Sequence, residues 1–260
     1  MFIFLLKNIF YFLRKSVFKN AINKFIFINT YKKKINKNIN SFIFFKFFII
    51  SEIIKKKYNH QNSKKSNTDL NNYVFSEDWF SINIPCWNYI INKEFNKNLH
   101  LKYLEIGSFE GRSAIYICET FKNFEVTCVD PFDVYESVES SAKKQLMKSV
   151  YKTFLSNISY FKDRIQHFKV YSNKFFSDNK DFFDIIYIDG SHFYLDVLND
   201  FKNSLKFLNK GGIIIFDDFL WNYYEKIEEN PVHAIFLVLE KENNLKIISA
   251  SNQLIVKKNL

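Results

Sequence analysis

Polar residues able to do chemistry follow three apolar runs of this chain. The three segments are residues 103–113 (YLEIGSFEGRS), 183–192 (FDIIYIDGSH) and 211–218 (GGIIIFDD). Each apolar run predicts a buried strand, with glycines, carboxylates or a histidine at or just beyond its carboxyl end. Ligands of an open α/β sheet bind outside the carboxyl ends of its strands. Because the three polar clusters would converge at that edge, the pattern predicts an enzyme.

The first cluster has the residues that a nucleoside ligand needs. Gly107 and Gly111 predict a turn between a strand and its helix, where the backbone approaches a ligand closely. The N–H groups exposed at the start of that helix suit a carboxylate on the ligand. Asp130 ends the next predicted strand, where its carboxylate can accept both hydroxyls of a ribose. An ordinary strand-to-helix turn is the alternative, and Asp130 favours the nucleoside.

The second cluster consists of Asp189, Asp217 and Asp218. Three neighbouring carboxylates repel one another, and each is driven toward protonation unless a cation lies between them. Hard oxygen ligands suit Mg²⁺. Such an ion would bind a substrate hydroxyl, lower its pKa and orient it. Alternatively, Asp217 or Asp218 caps the following segment while Asp189 binds the nucleoside.

His192 lies three residues after Asp189 and is the candidate general base. An imidazole can remove a hydroxyl proton near neutral pH. The alternatives are a ligand of the metal or of water, and a residue at a helix N-terminus that contacts the nucleoside base. Trp221, Tyr223 and Tyr224 follow the aspartate pair and could line a substrate pocket.

Strands and helices alternate from residue 73 onward. The predicted strands cover residues 103–106, 125–129, 165–170, 183–188, 212–216, 245–249 and 253–257. The predicted helices cover residues 79–95, 113–121, 140–160, 194–208 and 231–240. This order predicts an α/β fold with a doubly wound, mostly parallel seven-stranded sheet, covered by helices on both faces. The last two strands form an antiparallel C-terminal hairpin.

The motifs LEIGSFEGRS, VDPF, FDIIYIDGSH and GGIIIFDDF occur in an order that resembles the class I S-adenosylmethionine-dependent methyltransferases. Within that class, the chain is similar to the bacterial group that relates catechol-O-methyltransferase-like enzymes to macrolide sugar O-methyltransferases. EDWFSINIPCW and PVHAIFLVL are also similar to this group. The resemblance covers residues 72–260 and implies a Rossmann-like fold. It also implies S-adenosylmethionine as cofactor and a hydroxyl of a small molecule or sugar as methyl acceptor.

The resemblance assigns roles to individual positions. An acidic residue at the position of Glu105 orients the methionine part of the cofactor, and the metal-dependent branch has aspartates where this chain has Asp189, Asp217 and Asp218. Catechol-type enzymes have a lysine base at the position of His192. The implied cofactor residues are Glu105, Gly107, Ser108, Gly111, Ser113, Asp130 and Asp189; the implied metal ligands are Asp189, Asp217 and Asp218; the implied catalytic residues are His192 and Asp189.

Three other functions are compatible with parts of this pattern. The first is a methyltransferase that needs no metal. The second is an oxygenase of the cephalosporin hydroxylase type, although no site of two histidines and one carboxylate for iron is apparent. The third is a membrane-tethered binding protein that has kept the fold without the activity. The retention of Gly107, Asp130, Asp189 and Asp217 argues against that loss.

The net charge of +10 is distributed unevenly along the chain. Residues 1–66 contain 15 Lys or Arg and a single acid, Glu52, whereas the remainder contains 22 basic and 26 acidic residues. The slightly acidic catalytic part predicts no nucleic-acid partner. The three cysteines, Cys86, Cys118 and Cys128, show no metal-binding spacing, which is typical of a reduced, cytoplasmic protein.

Residues 1–66 form the predicted basic extension, and residues 67–260 form the predicted methyltransferase domain. Apolar residues at positions 3, 6, 10, 13 and 17 predict an amphipathic helix, and residues 41–54 form a second apolar stretch. Neither reaches the ~20 residues needed to cross a bilayer, and no secretory signal is expected. Residues 1–54 could bind an anionic membrane surface or pack on the domain or on a partner, such as a second copy. The polar residues 55–72 predict a linker.

Overall fold

The computed structural model describes residues 15–35, 39–65, 72–96, 98–133 and 141–260. Its strands are β1 (Leu101–Ile106), β2 (Phe124–Val129), β3 (Ile165–Phe168), β4 (Phe183–Ile188), β5 (Leu208–Phe216), β6 (Leu245–Ala250) and β7 (Leu254–Lys258). They form one seven-stranded sheet in the order β3-β2-β1-β4-β5-β7-β6. Strands β1 to β5 are parallel, and β7 pairs antiparallel with both β5 and β6. The predicted α/β fold, with its mostly parallel sheet and C-terminal antiparallel pair, is confirmed.

Helices flank this sheet and also precede it. They are α1 (Lys15–Lys34), α2 (Ser41–Lys65), α3 (Ile84–Glu94), α4 (Arg112–Thr120), α5 (Ser141–Ile158), α6 (Ser172–Asp178), α7 (Tyr194–Phe207) and α8 (Pro231–Lys241). Pro85 and Pro231 occupy first-turn positions, where the missing N–H has no intrahelical partner to lose. This is why α3 begins at Ile84 rather than at residue 79. The short helix α6 was not predicted from the sequence pattern.

Alternate residues of the central strands pack on opposite faces of the sheet. In β5, Ile214 and Phe216 join one apolar core, whereas Ile213 and Ile215 join the other. Side chains of a strand alternate between the two faces, and a parallel sheet is buried on both. This explains why the strands read as continuous apolar runs. It also places the polar residues of the chain at the strand ends.

Helices α1 and α2 form an antiparallel helical pair, here called the N-terminal hairpin. Lys56 Nζ donates to Ser16 Oγ (2.6 Å), Lys24 Nζ to Glu52 Oε1 (2.9 Å), and Ser41 Oγ to Asn29 Oδ1 (2.6 Å). These three contacts pair the beginning of one helix with the end of the other. The described part of the predicted helical extension is therefore helical.

The N-terminal hairpin contributes to a core of the domain. Ile28 and Phe44 are buried in the same cluster as Phe219 and Phe236. The packing alternative holds for the described part of the extension. The predicted linker is wrong over residues 55–65, which belong to α2, and residues 66–71 lie outside the described ranges. Whether residues 67–260 fold alone stays a prediction.

Membrane association of the extension also stays a prediction. No helix in the described ranges is both long enough and apolar enough to pass through a bilayer. Of the predicted amphipathic stripe, Val17 is buried, and the positions from 3 to 13 lie outside the described residues.

The packing of the hairpin predicts a large difference between two phenylalanines of α2. Phe44 is fully buried between the rings of Phe219 and Phe236, each with its centroid at 5.7 Å, whereas Phe42 is 71% exposed. Phe44→Ala should lower the free energy of unfolding by about 3–5 kcal/mol, because it leaves a cavity in the core. Phe42→Ala should change it by no more than about 0.5 kcal/mol. Chemical denaturation of both variants checks this, and equal effects would contradict the packing.

Candidate active site

The carboxyl ends of β1, β2, β4 and β5 meet at one edge of the sheet. Gly107 N–H donates to the carbonyl of Val129 (2.8 Å), and Asp189 N–H donates to the carbonyl of Ile106 (2.8 Å). Asp217 N–H donates to the carbonyl of Ile188 (2.9 Å). Each polar segment is thus bonded to the end of the strand beside it. The structure brings the three segments singled out in the sequence into one place.

Gly107 lies where the first turn touches the end of β4. Its φ is +86°, and a Cβ on it would lie 2.1 Å from the carbonyl oxygen of Asp189 and 2.7 Å from Gly190 Cα. No side chain fits there, so glycine is required for both the conformation and the close approach. Gly111, with φ +82°, closes the turn by donating its N–H to the carbonyl of Ser108 (2.7 Å), and α4 begins at the next residue.

Asp130 ties the turns after β1 and β2 together. Its Oδ2 accepts the N–H groups of Ser108 (2.8 Å) and Phe109 (3.0 Å), and its Oδ1 accepts that of Phe132 (2.7 Å). Phe109 and Phe132 both have φ +47°, an uncommon conformation for a phenylalanine that these bonds help to hold. Burial raises the pKa of Asp130, and the three N–H donors oppose that shift. A carboxylate has about four acceptor positions, so one remains for a ligand.

Glu105 is a fully buried carboxyl with one oxygen unsatisfied. Its Oε2 accepts the hydroxyls of Tyr103 (2.7 Å) and Ser113 (2.6 Å). Its Oε1 has no hydrogen-bond partner among the residues that the structure describes. Burial raises the pKa of Glu105 to about 7, although the Ser113 and Tyr103 hydroxyls act in the opposite direction. A buried acceptor without a partner is costly, so this oxygen is suited to a ligand or a bound water.

Asp189 and Asp217 share the hydroxyl of one buried tyrosine. Tyr187 Oη lies 2.7 Å from Asp189 Oδ2 and also contacts Asp217 Oδ2. Burial and then the charge of Asp217 raise the pKa of Asp189 well above its ordinary value, and burial raises that of Asp217. A hydroxyl has one proton to donate, so it cannot satisfy two ionised carboxylates. The pair therefore holds a proton of its own, or a cation in its place.

The carboxylate of Asp218 contacts His192, and, together with burial, its charge also raises the pKa of Asp189 and of Asp217. His192 Nε2 and Asp218 Oδ2 are in direct hydrogen-bond contact, and both side chains are partly exposed. The indole ring of Trp221 lies against the imidazole, with centroids 4.7 Å apart. Trp221 N–H donates to the carbonyl of Asp218 (2.8 Å), whose φ is +45°. A carboxylate beside one imidazole nitrogen fixes the tautomer and leaves the other nitrogen as the base.

The three aspartates predicted to bind one metal ion are thus divided between two contacts. Among the described residues, no three His, Cys, Asp or Glu side chains are arranged to hold a metal. Asp217 and Asp218 stay in contact through the backbone, because the N–H of Asp218 donates to Asp217 Oδ1 (2.8 Å). Asp189 and Asp217 remain close, through their common contact with Tyr187.

Two tyrosines that the sequence analysis did not single out support the site. Tyr103 precedes Glu105 by two residues, and Tyr187 precedes Asp189 by two residues. Residues two apart in a strand share a face, so each phenol reaches the acid on its own strand. A tyrosine two positions before an acid at a strand end was the signal available in the sequence.

Lys55 of α2 was also missed, because it lies in the stretch predicted as a linker. Burial lowers the pKa of its amine, and the nearby charges of Cys86, Glu52 and Asp217 raise it. The N-terminal hairpin therefore places this amine within electrostatic range of Asp217. Lys55 is the first of three consecutive lysines, so the sequence does not indicate which of them lies near the site.

Residues 104–219 match the model of a family described as a methyltransferase domain. Over this segment the chain is similar to methyltransferase domains. The segment extends from β1 to the residue after the aspartate pair, so it includes every site residue described above except Tyr103, Trp221 and Lys55.

One curated relative and several solved structures resemble the chain. It is 32% identical over 124 residues to uncharacterized protein R132 of Acanthamoeba polyphaga mimivirus, which covers 46% of this chain and 52% of that protein. The chain therefore matches only about half the length of this relative.

The solved structures share the fold. A candidate caffeoyl-CoA O-methyltransferase from Staphylococcus aureus has a TM-score of 0.53 at 14% identity, over 82% of this chain and 100% of its own. The O-methyltransferase TomG from Streptomyces achromogenes, solved with S-adenosylmethionine, has a TM-score of 0.51 at 11% identity, over 80% and 90%. The MycE methyltransferase of mycinamycin biosynthesis was solved with Mg and S-adenosylhomocysteine. It has a TM-score of 0.50 at 15% identity, over 70% of this chain and 51% of its own. At these identities, the likeness shows a shared Rossmann-like fold.

The buried carboxyl of Glu105 predicts a specific pH dependence of stability. The pKa of Glu105 rises from 4.5 to about 7, so the folded chain holds an extra proton between these values. The stabilisation from the raised pKa of Glu105 is fully present below pH 4.5 and is lost as the pH rises through 7. The free energy of unfolding should fall by about 3 kcal/mol over this range. Glu105→Gln should remove this component.

The measurement is the free energy of unfolding of wild type and Glu105→Gln between pH 5 and about 8, where most of the titration falls. The exposed Glu77→Gln is the control and should run parallel to wild type. A difference between wild type and Glu105→Gln that does not vary with pH would contradict the raised pKa.

Proposed function

We propose that the chain is an S-adenosylmethionine-dependent methyltransferase that methylates a hydroxyl of a small molecule or sugar. The observation that carries this proposal is the contact of His192 with Asp218 at the edge of the sheet where Gly107, Glu105 and Asp130 also lie. It combines a general base with the features of a nucleoside-binding turn. The methyltransferase family of residues 104–219 supports the reaction class.

The residues after β1 and β2 suit the proposed cofactor. The cofactor has a cationic sulfonium and a cationic amine, and the unsatisfied Glu105 Oε1 offers a buried anion on this side. The remaining acceptor position of Asp130 suits one ribose hydroxyl. The predicted contact of Asp130 with both ribose hydroxyls would require it to lose one of its three hydrogen bonds from backbone N–H groups. Ser108 and Ser113 line the same turn and helix start.

His192 and Asp218 would carry out the proton transfer. The cofactor supplies an electrophilic methyl group on sulfur. Asp218 holds Nε2 of the imidazole, which leaves Nδ1 to take the proton of the acceptor hydroxyl. Asp218 then stabilises the imidazolium, as a carboxylate beside a histidine does in other active sites. Trp221, against the imidazole, would bind the body of the acceptor.

A divalent cation between Asp189 and Asp217 is a second candidate, favoured by the closeness of these two carboxyls. Mg²⁺ commonly uses one or two protein carboxylates and completes its shell with water or substrate. The two acids fit that donor set, whereas Asp218 is engaged by His192. Such an ion would lower the pKa of an acceptor hydroxyl.

The cellular location stays a proposal. We propose a cytoplasmic protein, in agreement with three cysteines that are all free and buried. Peripheral binding to an anionic membrane through residues 1–54 cannot use Ile28, Phe44 and Phe48, because these side chains are buried in the domain core. Any lipid contact would rest on residues 1–14 and on exposed side chains of the N-terminal hairpin.

The proposed base predicts a separation between cofactor binding and turnover. His192→Asn should reduce kcat by about 10²- to 10⁴-fold, because the general base is lost. Its Kd for S-adenosylhomocysteine in calorimetry should stay within about two-fold of wild type. Such a change in binding free energy is smaller than the net contribution of one hydrogen bond. His100→Asn, an exposed histidine paired with Glu125, is the control and should retain both properties. No binding of S-adenosylhomocysteine by the wild type would refute the proposed cofactor.

The second candidate predicts an effect of metal on stability. If Asp189 and Asp217 bind Mg²⁺, a hundred-fold excess over Kd should stabilise the wild type by about 2.7 kcal/mol. Asp217→Asn should abolish the rise in Tm, whereas Asp181→Asn, an exposed acid paired with Lys102, should retain it. Turnover that stops in chelator and returns with Mg²⁺ selects the metal. Turnover that continues in chelator and depends on His192 selects the base alone.

A further inference from the structure

We propose that the N-terminal hairpin positions the acceptor side of the active site. Its target is the segment 217–230 between β5 and α8, here called the acceptor loop, which includes Asp218 and Trp221. The hairpin lies outside the matched methyltransferase segment, and so does the part of the loop after residue 219. The role of the N-terminal hairpin in the reaction rests on the proposed function. Its contacts with the acceptor loop are observed independently of that function.

The first contact is a hydrogen bond from α1. The hydroxyl of Tyr31, which is 1% exposed, donates to the carbonyl of Ile227 in the acceptor loop. The ring of Tyr31 packs edge-on against Phe236 of α8, with centroids 6.4 Å apart. A buried hydroxyl loses its water and must find a partner in the protein. Tyr31 therefore fixes the far end of the loop to the hairpin.

The second contact is an aromatic stack from α2. The ring of Phe44 stacks on that of Phe219 at 5.7 Å and 20° between planes, and both side chains are fully buried. Phe219 directly follows Asp218, and its N–H donates to the carbonyl of Asn252 (2.8 Å). Asp218 has a positive φ, a conformation that persists where its surroundings hold it. Phe44 supplies part of that surrounding.

The acceptor loop is also closed from within. Asn230 is fully buried, and its Nδ2 donates to the carbonyls of Tyr224 (3.1 Å) and Lys226 (3.2 Å). Its Oδ1 accepts the N–H of Tyr224 (3.2 Å). The loop is thus closed at its base by Asn230 and held from outside by the hairpin at Ile227.

Between these fixed points the acceptor loop is open to solvent. Trp221 is 39% exposed and Tyr223 is 77% exposed, with their rings 6.0 Å apart. Trp221 lies against His192, so the position of the loop decides both where the imidazole points and what surface an acceptor meets. Tyr31 and Phe44 touch none of the reacting groups. They are positioning residues that act through the loop.

The test compares two tyrosines of the N-terminal hairpin in the full chain. Tyr31→Phe removes the hydroxyl that holds Ile227, whereas Tyr58→Phe removes a hydroxyl from α2, where the ring lies beside Lys57. Hydrogen exchange followed by mass spectrometry should show about ten-fold faster exchange in residues 219–230 of Tyr31→Phe, the upper range for one lost hydrogen bond. Residues 103–113 should exchange as in wild type. Tyr58→Phe should match wild type throughout.

A spectroscopic readout separates positioning from general stability. Tyr31→Phe should shift the imidazole NMR resonance of His192, assigned with His192→Asn, in the direction that Asp218→Asn shifts it. Unchanged exchange and an unchanged resonance in Tyr31→Phe would overturn the proposal, and so would exchange that rises uniformly over the chain. Both measurements are made without ligand. Failure of S-adenosylhomocysteine to bind would therefore refute the proposed function and leave this result intact.

Discussion

The structure depends on four carboxyls gathered at one buried edge of a sheet. Glu105, Asp130, Asp189 and Asp217 each have a pKa raised first of all by burial. Hydrogen-bond donors lower the cost of burying each carboxyl: tyrosine hydroxyls for three of them, and backbone N–H groups for Asp130. The donors satisfy some oxygens and leave others open. The result is an anionic region that a proton or a cationic ligand must complete.

The fold meets this requirement by alternating apolar strands with polar strand ends. Parallel strands place all their carboxyl ends at one edge, and Gly107 lets the turn after β1 touch the backbone of Asp189. On the acceptor side the same edge is supported from outside the matched segment. Phe44 and Tyr31 of the N-terminal hairpin pack behind the residues that follow the aspartate pair. The described part of the basic, phenylalanine-rich extension thereby belongs to the core.

The sequence predicted much of the sheet and of the site. The apolar runs before Gly107, Asp130, Asp189 and Asp217 gave the strands and their convergence, because buried parallel strands have no polar face. The full length of the N-terminal hairpin could not be predicted, because residues 55–65 of α2 have no apolar face to signal a helix. Asp217 contacts Tyr187 and Asp218 contacts His192, and a sequence of two adjacent aspartates does not specify which partner each one has.

Charge balance links this arrangement to the proposed reaction. Before ligand binds, protons neutralise part of the carboxyl cluster, and a sulfonium cofactor would take over that role. Methyl transfer converts the sulfonium into a neutral thioether, so the cluster would lose a counter-charge at the step that forms product. The proton released by the acceptor hydroxyl would appear at the same time on His192, beside Asp218. In the proposed reaction, such an acidic edge would favour the charged cofactor over its uncharged thioether product, and the pairing of Asp218 with His192 would hold the released proton beside a carboxylate.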